Sequence, residues 1–334
     1  MANHIEHIVD KFGRVHDYLR ISLTERCNLR CFYCMPEEGV KLRDKANFMT
    51  SEEVIAIAKV FVGMGIKKIR LTGGEPLIKR DVKNVLLELG KLPVELAITT
   101  NAVLVDKFID TFKEAGIKSV NVSLDSLDGD SFNQISRRKY FDKIKANIDL
   151  LIEEGFYVKV NAVVIRDLNE HEIPAFIDWT RNENVHIRFI EFMPFDGNQW
   201  DWNKKVPYKE MLDIAEKHFG AEGITKIEDK KNDTARCYKL IDGKGTFGII
   251  ASITNPFCDT CNRIRLTADG KIKNCLFSES ETDLLTAYRK DRDLGLLIRE
   301  SIWDKKKERG GARAFDDEDF IKNMKNRSMI TIGG

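Results

Sequence analysis

Six of the seven cysteines lie in two groups of three that are separated by most of the chain. The first group is a CxxxCxxC loop formed by Cys27, Cys31 and Cys34. Three thiolates this close together can hold one four-iron cluster and leave its fourth iron free to bind another molecule. Ferredoxin loops supply four cysteines, and structural zinc sites pair their CxxC motifs. The alternatives are three buried cysteines or a zinc site completed by a distant ligand.

The second group is also one ligand short of a closed site. Cys258 and Cys261 form a CxxC motif, and Cys275 follows. A closed zinc site would need a fourth ligand, either Cys237 or a histidine. Cys237 by itself is typical of a half-buried strand residue. The second group therefore predicts another cluster with an open iron, and the zinc site is the alternative.

Two arginines follow the second CxxC motif. Arg263 and Arg265 would lie on the same face of an extended segment. Guanidinium groups bind phosphate oxygens in a bidentate manner, although most arginines of a charged chain simply face water. Their position beside an open iron predicts an anionic ligand.

The cysteine groups need a scaffold, and the hydrophobic pattern predicts one. From about residue 18, short β-branched runs alternate with amphipathic stretches, which is typical of a parallel sheet with helical crossovers. Thr50 and Glu53 predict a capping box at the start of the first long helix. The predicted strands cover residues 19–23, 68–71, 96–99, 119–124, 158–164 and 187–192.

The pattern changes after Met193. A polar, tryptophan-containing connector precedes a predicted helix over 208–218, and strand-like runs between Ala235 and Cys275 predict a small antiparallel sheet. No dinucleotide-binding glycine fingerprint follows the first strand. We therefore predict an α/β fold, with an incomplete (β/α)6 TIM-like barrel over residues 1–200 and a smaller C-terminal domain over residues 201–334 that contains an antiparallel sheet.

Composition and charge narrow the class of protein. Apolar residues make up 43% of the chain, which is typical of a globular protein. The 54 basic and 53 acidic residues nearly cancel, so we expect neither a nucleic-acid nor a membrane partner. The first residues are polar, and no apolar run approaches transmembrane length. We expect a cytoplasmic protein, whose reducing surroundings keep the cysteines as thiols.

Two motifs resemble the radical S-adenosylmethionine (SAM) superfamily. The segment YLRISLTERCNLRCFYCMP resembles its cluster loop, including the aromatic Tyr33 directly before the last cysteine. The GGEP run that begins at Gly73 resembles the motif that holds the methionine end of SAM, whereas a lone glycine pair would predict only a turn. In this superfamily the open iron binds SAM, and one electron cleaves it to a 5′-deoxyadenosyl radical.

Both cysteine groups, the GGEP motif and the final Ile332-Gly333-Gly334 together resemble the GTP 3′,8-cyclase family, over nearly the whole chain. These lyases begin molybdenum cofactor (molybdopterin) biosynthesis. The resemblance implies that the radical takes H3′ of GTP and that C3′ then bonds to guanine C8, giving (8S)-3′,8-cyclo-7,8-dihydroguanosine 5′-triphosphate. It implies two 4Fe–4S clusters, the second of which holds the purine at its open iron.

The resemblance also assigns roles to residues of this sequence. It implies GTP contacts for Arg20, Arg70, Thr99, Lys159, Arg263 and Arg265. It implies SAM contacts for Tyr33, Gly74, Ser123 and Met193. Arg188 is implied to reach the active site, and Gly333 and Gly334 form a tail that enters it and is required for turnover. Each residue alone has a structural alternative, such as a strand-end hydroxyl, a core methionine or a surface lysine.

One position departs from the family pattern. Ala102 follows the TTN run, where the family commonly has glycine. Because alanine is strained at positive φ, we expect a different local turn there.

The implied partners are GTP as substrate, an electron donor such as flavodoxin or ferredoxin, a downstream cyclic pyranopterin monophosphate synthase, and a second copy of the chain in a homodimer. Two other functions fit the cysteine groups. A radical enzyme that modifies a peptide would show SAM cleavage stimulated by a peptide and not by GTP. A non-enzymatic zinc or iron-sulfur protein would use both groups structurally, and zinc without sulfide would identify the zinc form.

Overall fold

All six predicted strands are present, each within one residue of its predicted bounds. The structure is a computed structural model that describes residues 7–35, 39, 43–198, 200–312 and 326–333. Its strands are β1 (Tyr18–Ser22), β2 (Lys68–Thr72), β3 (Glu95–Thr100), β4 (Ser119–Ser123), β5 (Tyr157–Val164), β6 (His186–Glu191), β7 (Ile224–Lys226), β8 (Arg236–Leu240), β9 (Thr246–Ile250), β10 (Arg263–Leu266), β11 (Lys271–Lys273) and β12 (Thr282–Asp283).

Helices form between these strands. The predicted capping box begins α1, where Thr50 Oγ1 accepts from the Glu53 N–H at 3.2 Å and the Glu53 carboxylate accepts from the Thr50 N–H at 2.8 Å. The sequence did not predict α4, which begins with glycine and carries few apolar residues. The helices are α1 (Ser51–Gly63), α2 (Val82–Gly90), α3 (Ile109–Glu114), α4 (Gly129–Ser136), α5 (Phe141–Glu153), α6 (Ile173–Asn182), α7 (Tyr208–Phe219), α8 (Leu284–Arg289), α9 (Leu294–Trp303) and α10 (Met329–Ile332).

The strands form one sheet in the order β12-β11-β10-β1-β2-β3-β4-β5-β6-β9-β8-β7. From β10 through β1–β6 to β9, neighbouring strands pair in parallel, as in a partial TIM barrel. The predicted antiparallel strands are present at both ends of this same sheet. The sequence did not predict that β9 and β10 continue the parallel part.

The two faces of the parallel strands differ in polarity. On β5, Val158 and Val160 are fully buried in the main core, whereas Lys159 and Asn161 face the other side. The interior of a TIM barrel is normally filled by branched apolar side chains. Here arginine and asparagine side chains, such as Arg20, Asn161 and Arg188, share the interior with apolar side chains, which is typical of a ligand chamber and not of a core.

The main apolar core includes residues from both ends of the chain, such as Leu19 of β1, Ile264 of β10 and Leu285 of α8. The predicted division into residues 1–200 and 201–334 stays a prediction. None of the helices in the described ranges is both long and apolar enough to span a bilayer.

Candidate active site

The first cysteine group lies in the loop that follows β1. The carbonyl of Cys31 accepts a hydrogen bond from the N–H of Cys34 at 3.0 Å, so the loop turns tightly. The Sγ atom of Cys27 accepts from the backbone N–H of Leu29 at 3.4 Å and from Asn101 Nδ2 at 3.7 Å. N–H donors of this kind surround the sulfurs of iron-sulfur clusters and tune their potentials.

Burial raises the pKa of all three thiols in this loop. The pKa of Cys27 rises to about 11, that of Cys34 to about 12, and that of Cys31 well above its ordinary value. Such thiols are poor nucleophiles, whereas metal binding removes the proton outright. An all-sulfur donor set with N–H donors beside it fits an iron-sulfur cluster.

The glycines of the GGEP motif pack directly against this loop. The N–H of Gly74 donates to the carbonyl of Thr24 at 2.7 Å, and the N–H of Glu75 donates to that of Arg26 at 2.8 Å. A Cβ atom on Gly74 would overlap the Arg26 carbonyl oxygen, and one on Gly73 would lie 2.7 Å from the Thr24 oxygen. Only glycine permits this close approach, so the motif determines how closely the cluster loop packs against the segment after β2.

The Glu75 carboxylate joins the GGEP motif to the end of β3. It accepts hydrogen bonds from the Leu77 N–H at 3.0 Å, Thr100 Oγ1 at 2.8 Å and the Asn101 N–H at 2.7 Å. Burial raises its pKa to about 7 in spite of these donors. Glu75 thus holds together the two loops that flank Cys27.

We expected a different turn after β3 because Ala102 replaces glycine there, and this expectation is wrong. Ala102 adopts φ +62°, the left-handed conformation that favours glycine. Its N–H donates to Thr100 Oγ1 at 3.0 Å, and its carbonyl accepts from Asn147 Nδ2 at 2.6 Å. The side-chain bonds at both ends hold the strained residue in place.

Tyr33 connects the cluster loop to the next part of the barrel. Its hydroxyl donates to Asp125 Oδ2 at 2.6 Å, and Asp125 Oδ1 accepts from the Val163 N–H at 2.9 Å. Burial raises the pKa of Asp125 to about 6, although these bonds favour the carboxylate. The loop that carries Cys34 is therefore tied to β5 through one buried carboxyl group.

A single chamber lies inside the barrel and reaches from Tyr33 to the second cysteine group. The predicted site residues that line it are Arg20, Tyr33, Thr99, Arg188, Met193, Cys258, Cys261, Arg263, Arg265 and Cys275. Arg70 and Lys159 lie beside it on β2 and β5, where Arg70 pairs with Arg20 and Lys159 pairs with Asn121 in the sheet register. Ser123 ends β4 opposite Asn161, and Asn161 lines the chamber.

Three arginines of this chamber, which are half-buried or buried, have no carboxylate partner in the part of the chain that the structure describes. Among the described residues, none of Arg20, Arg188 and Arg265 forms an ion pair, and the Nε atoms of Arg20 and Arg188 have no hydrogen-bond partner. Burial, and then the charges of neighbouring arginines, lower the pKa of Arg188 and of Arg265 to about 9. A buried cation is costly unless an anion joins it, so the chamber fits a polyanionic ligand.

Lys159 and Tyr18 show the same excess of positive charge. Burial, followed by the charges of Arg188 and Arg70, lowers the pKa of Lys159 to about 8. Burial alone would raise the pKa of Tyr18, but the charges of Arg70 and Arg20 outweigh it and lower that pKa to about 7. The Tyr18 hydroxyl accepts a hydrogen bond from Arg70 Nε.

The second cysteine group is also surrounded by donors. The backbone N–H of Arg309 donates to Cys258 Sγ at 3.4 Å, and Lys305 Nζ donates to Cys261 Sγ at 3.4 Å. Burial would raise the pKa of Cys261, but the charges of Arg263 and Lys305 lower it to about 6. Within the part of the chain described, no three His, Cys, Asp or Glu side chains are arranged around a single metal ion. A cluster instead spreads its thiolates over separate irons.

The C-terminal segment reaches the same region. The carbonyl of Gly333 accepts a hydrogen bond from Arg265 Nη1 at 2.8 Å. Gly333 has φ +84°, and a Cβ atom there would lie 2.6 Å from Ser22 Cβ and 2.8 Å from Thr72 Oγ1. Gly334, which we also predicted for this site, lies outside the described residues.

Sequence reasoning missed several residues of the site. Asp125, Glu191, Tyr18 and Lys305 are polar or charged, and nothing in their spacing marked them. Glu191 is fully buried in the chamber wall, where Oε2 accepts from the Ile253 N–H at 2.9 Å and Oε1 has no hydrogen-bond partner among the described residues. The one available signal was position, because Asp125 and Glu191 stand at the carboxyl ends of β4 and β6.

Two family models match this chain. The one described as the radical SAM superfamily matches residues 21–180, and the one described as Molybdenum Cofactor Synthesis C matches residues 185–310.

Relatives with known names align with most of the length of this chain. A protein of Listeria welshimeri named GTP 3′,8-cyclase is 38% identical over 97% of this chain and 98% of its own. The mitochondrial GTP 3′,8-cyclase of Arabidopsis thaliana is 45% identical, over 98% of this chain and 83% of its own. Human molybdenum cofactor biosynthesis protein 1 is 44% identical over 97% of this chain. This chain spans about half the length of the human and Drosophila melanogaster relatives, 51% and 55%.

Among solved structures, SuiB of Streptococcus suis bound to S-adenosylmethionine superposes with a TM-score of 0.65 at 15% identity, over 90% of this chain and 69% of its own. That likeness concerns the fold alone. The sequence relatives carry the assignment further: the chain belongs to the radical SAM superfamily and, within it, to the GTP 3′,8-cyclase family.

Proposed function

We propose that this chain is a GTP 3′,8-cyclase of molybdenum cofactor biosynthesis. One observation carries the proposal: a single chamber holds the second cysteine group, reaches the first cysteine loop at Tyr33, and contains Arg20, Arg188 and Arg265, which form no ion pair with any described residue. A triphosphate supplies the missing negative charge, and a purine can reach the second group. The relatives named GTP 3′,8-cyclase support this substrate.

Cys27, Cys31 and Cys34 would hold the first 4Fe–4S cluster, and Tyr33, Gly74, Ser123 and Met193 would hold SAM beside it. Cys258, Cys261 and Cys275 would hold the second cluster. When bound, these groups would supply the 5′-deoxyadenosyl radical chemistry that removes H3′ of GTP and lets C3′ bond to guanine C8, and one further electron and a proton would complete the dihydropurine ring.

The chain itself contributes position and exclusion of water. Arg20, Arg70 and Lys159 lie on neighbouring or nearby strands and would clamp the triphosphate from one side, while Arg263 and Arg265 lie on β10. Thr99 and Arg188 complete the predicted wall. A clamp of this kind fixes C3′ relative to the attacking carbon, which matters more for regioselectivity than affinity does. The buried wall also keeps the radical away from solvent.

The proposal includes the remaining family features. These are a one-electron donor such as flavodoxin or ferredoxin, a cyclic pyranopterin monophosphate synthase that consumes the product, a homodimer, and a cytoplasmic location. It also includes the division into a barrel domain over residues 1–200 and a C-terminal domain over residues 201–334.

Anaerobic reconstitution tests the central claim. The chain with iron, sulfide, SAM, dithionite and GTP should yield 5′-deoxyadenosine and a cyclised guanosine triphosphate. Arg265→Met should lose the product, because its guanidinium lines the chamber, while Arg299→Met on helix α9, away from the chamber, should keep it. The absence of any GTP-dependent product from protein that holds about eight irons per chain would overturn the proposal.

A further inference from the structure

Lys305 is a buried lysine beside the second cysteine group. Lys305 comes two residues after the end of helix α9, and only 2% of its surface is exposed. Its Nζ atom lies 3.4 Å from Cys261 Sγ and 3.0 Å from the carbonyl oxygen of Arg263. Lysine is almost never buried to this extent unless an anion pairs with it.

No carboxylate in the described ranges supplies that anion. Among the described residues, none lies within ion-pair distance of the Lys305 ammonium group. Asp10 is already paired, because it accepts from Arg14 Nε at 2.6 Å and from His16 Nε2 at 3.0 Å. Among the described residues, the sulfur of Cys261 is therefore the one group in hydrogen-bond contact with Lys305 that can carry a full negative charge.

The Arg14 side chain holds the segment that carries Lys305. Arg14 Nη1 donates to the carbonyl of Cys258 at 2.8 Å and to that of Lys307 at 2.6 Å, and Nη2 donates to that of Lys306 at 3.0 Å. One guanidinium group thus ties the CxxC motif to the segment after α9. The backbone on both sides of the contact between Lys305 and Cys261 is therefore held by the same side chain.

We propose that Lys305 is the fixed counter-ion of the second iron-sulfur cluster and makes its reduction potential more positive. The inference rests on the proposed function, in which Cys258, Cys261 and Cys275 hold that cluster. A cluster with three thiolate ligands gains negative charge when it takes an electron, and an adjacent ammonium group stabilises the reduced state more than the oxidised state. Charge and N–H···S bonds are established controls of cluster potential. Lys305 acts through Cys261 and is a positioning residue, not a catalytic one.

The test uses the full chain with Cys27, Cys31 and Cys34 replaced by alanine, so that every signal comes from the second cluster. Potentiometric titration with dithionite, followed by electron paramagnetic resonance, gives its midpoint potential. Lys305→Met keeps the side-chain length and removes the charge, whereas Lys305→Arg keeps the charge. Lys306→Met changes an exposed neighbouring lysine and is the matched control.

We expect a more negative potential in Lys305→Met and values close to the parent in Lys305→Arg and Lys306→Met. Loss of the cluster in Lys305→Met with retention in Lys305→Arg supports the same role. An unchanged potential in iron-loaded Lys305→Met overturns it, and so does cluster loss in both Lys305 variants. If the parent itself holds no iron at this group, the proposed function fails instead, and iron analysis separates the two cases.

Discussion

Arg265 and Gly333 meet inside the protein, where the guanidinium Nη1 donates to the carbonyl oxygen at 2.8 Å. Gly333→Ala should break this arrangement, because the new Cβ atom would lie 2.6 Å from Ser22 Cβ and the residue has φ +84°. We expect turnover of GTP to fall about tenfold to a hundredfold, as small misplacements in an active site do. Single-turnover formation of the cyclised product measures it.

Gly155→Ala is the matched control for this change. Gly155 also has positive φ, +79°, but nothing lies within 4 Å of its would-be Cβ atom. It should lose about 1 kcal/mol of unfolding free energy and keep its turnover. Equal loss of turnover in both variants would contradict a specific role for the Gly333 contact.

Gly74→Ala should disturb the first cluster. Its Cβ atom would overlap the backbone of Arg26 in the loop that leads into Cys27. We expect reconstituted iron to fall from about eight to about four atoms per chain, because the second cysteine group is untouched. Gly63→Ala at the end of α1, where nothing lies within 4 Å, should retain all of its iron. Full iron and full SAM cleavage in Gly74→Ala would sink the prediction.

GTP affinity should depend on pH through Lys159. Its pKa is lowered to about 8, so the side chain is charged below that pH and neutral above it in the ligand-free protein. A triphosphate binds the charged form and raises the pKa again. The dissociation constant of GTP should therefore rise as pH increases above about 8, by up to about tenfold per unit. Anaerobic titration calorimetry at several pH values measures it.

Lys159→Arg separates this effect from the titration of GTP itself. Arginine stays charged throughout the same range. Its GTP affinity should fall less steeply with pH than that of the parent chain. Identical slopes in the two proteins would show that Lys159 is not the titrating group.

Cys237 should be dispensable for both clusters. It lies on β8, with β1 to β6 and β9 between it and β10 in the sheet, and its Sγ atom lies 3.7 Å from the Ala235 carbonyl oxygen. Cys237→Ser should bind as much iron and sulfide as the parent, whereas Cys261→Ser should lose about half. Iron loss in Cys237→Ser would instead make this residue a ligand of the second group.

Local patterns predicted the parts of this molecule that depend on local chemistry. Alternation of apolar residues predicted β1 to β6, and Thr50 with Glu53 predicted the start of α1, because strand faces and helix caps are set within a few residues. Cysteine spacing likewise singled out two groups of three thiols. The structure places the second group in the chamber wall, and of the first loop it places Tyr33, directly before Cys34, in the same wall.

Long-range pairing was beyond such reasoning. Nothing near Arg263 shows that its strand pairs with Tyr18, which lies about 245 residues earlier. Asp125 and Lys305 acquire their roles only through contacts with Tyr33 and Cys261, so their own neighbours carry no signal. At Ala102 a sound local rule gave the wrong result. Alanine disfavours positive φ, but hydrogen bonds with the side chains of Thr100 and Asn147 hold it in that conformation.

The pairing of β1 with β10 also has a kinetic consequence. During synthesis β1 can pair with β2 early, but its other edge stays exposed until residues 263–266 leave the ribosome. Contacts of such large sequence separation form slowly, and an exposed strand edge invites wrong pairing. Arg263 and Arg265 lie on β10, so they join the chamber only when this strand pairs with β1. The barrel wall is therefore completed late in folding, and the cysteine loop after β1 remains accessible from that side until then.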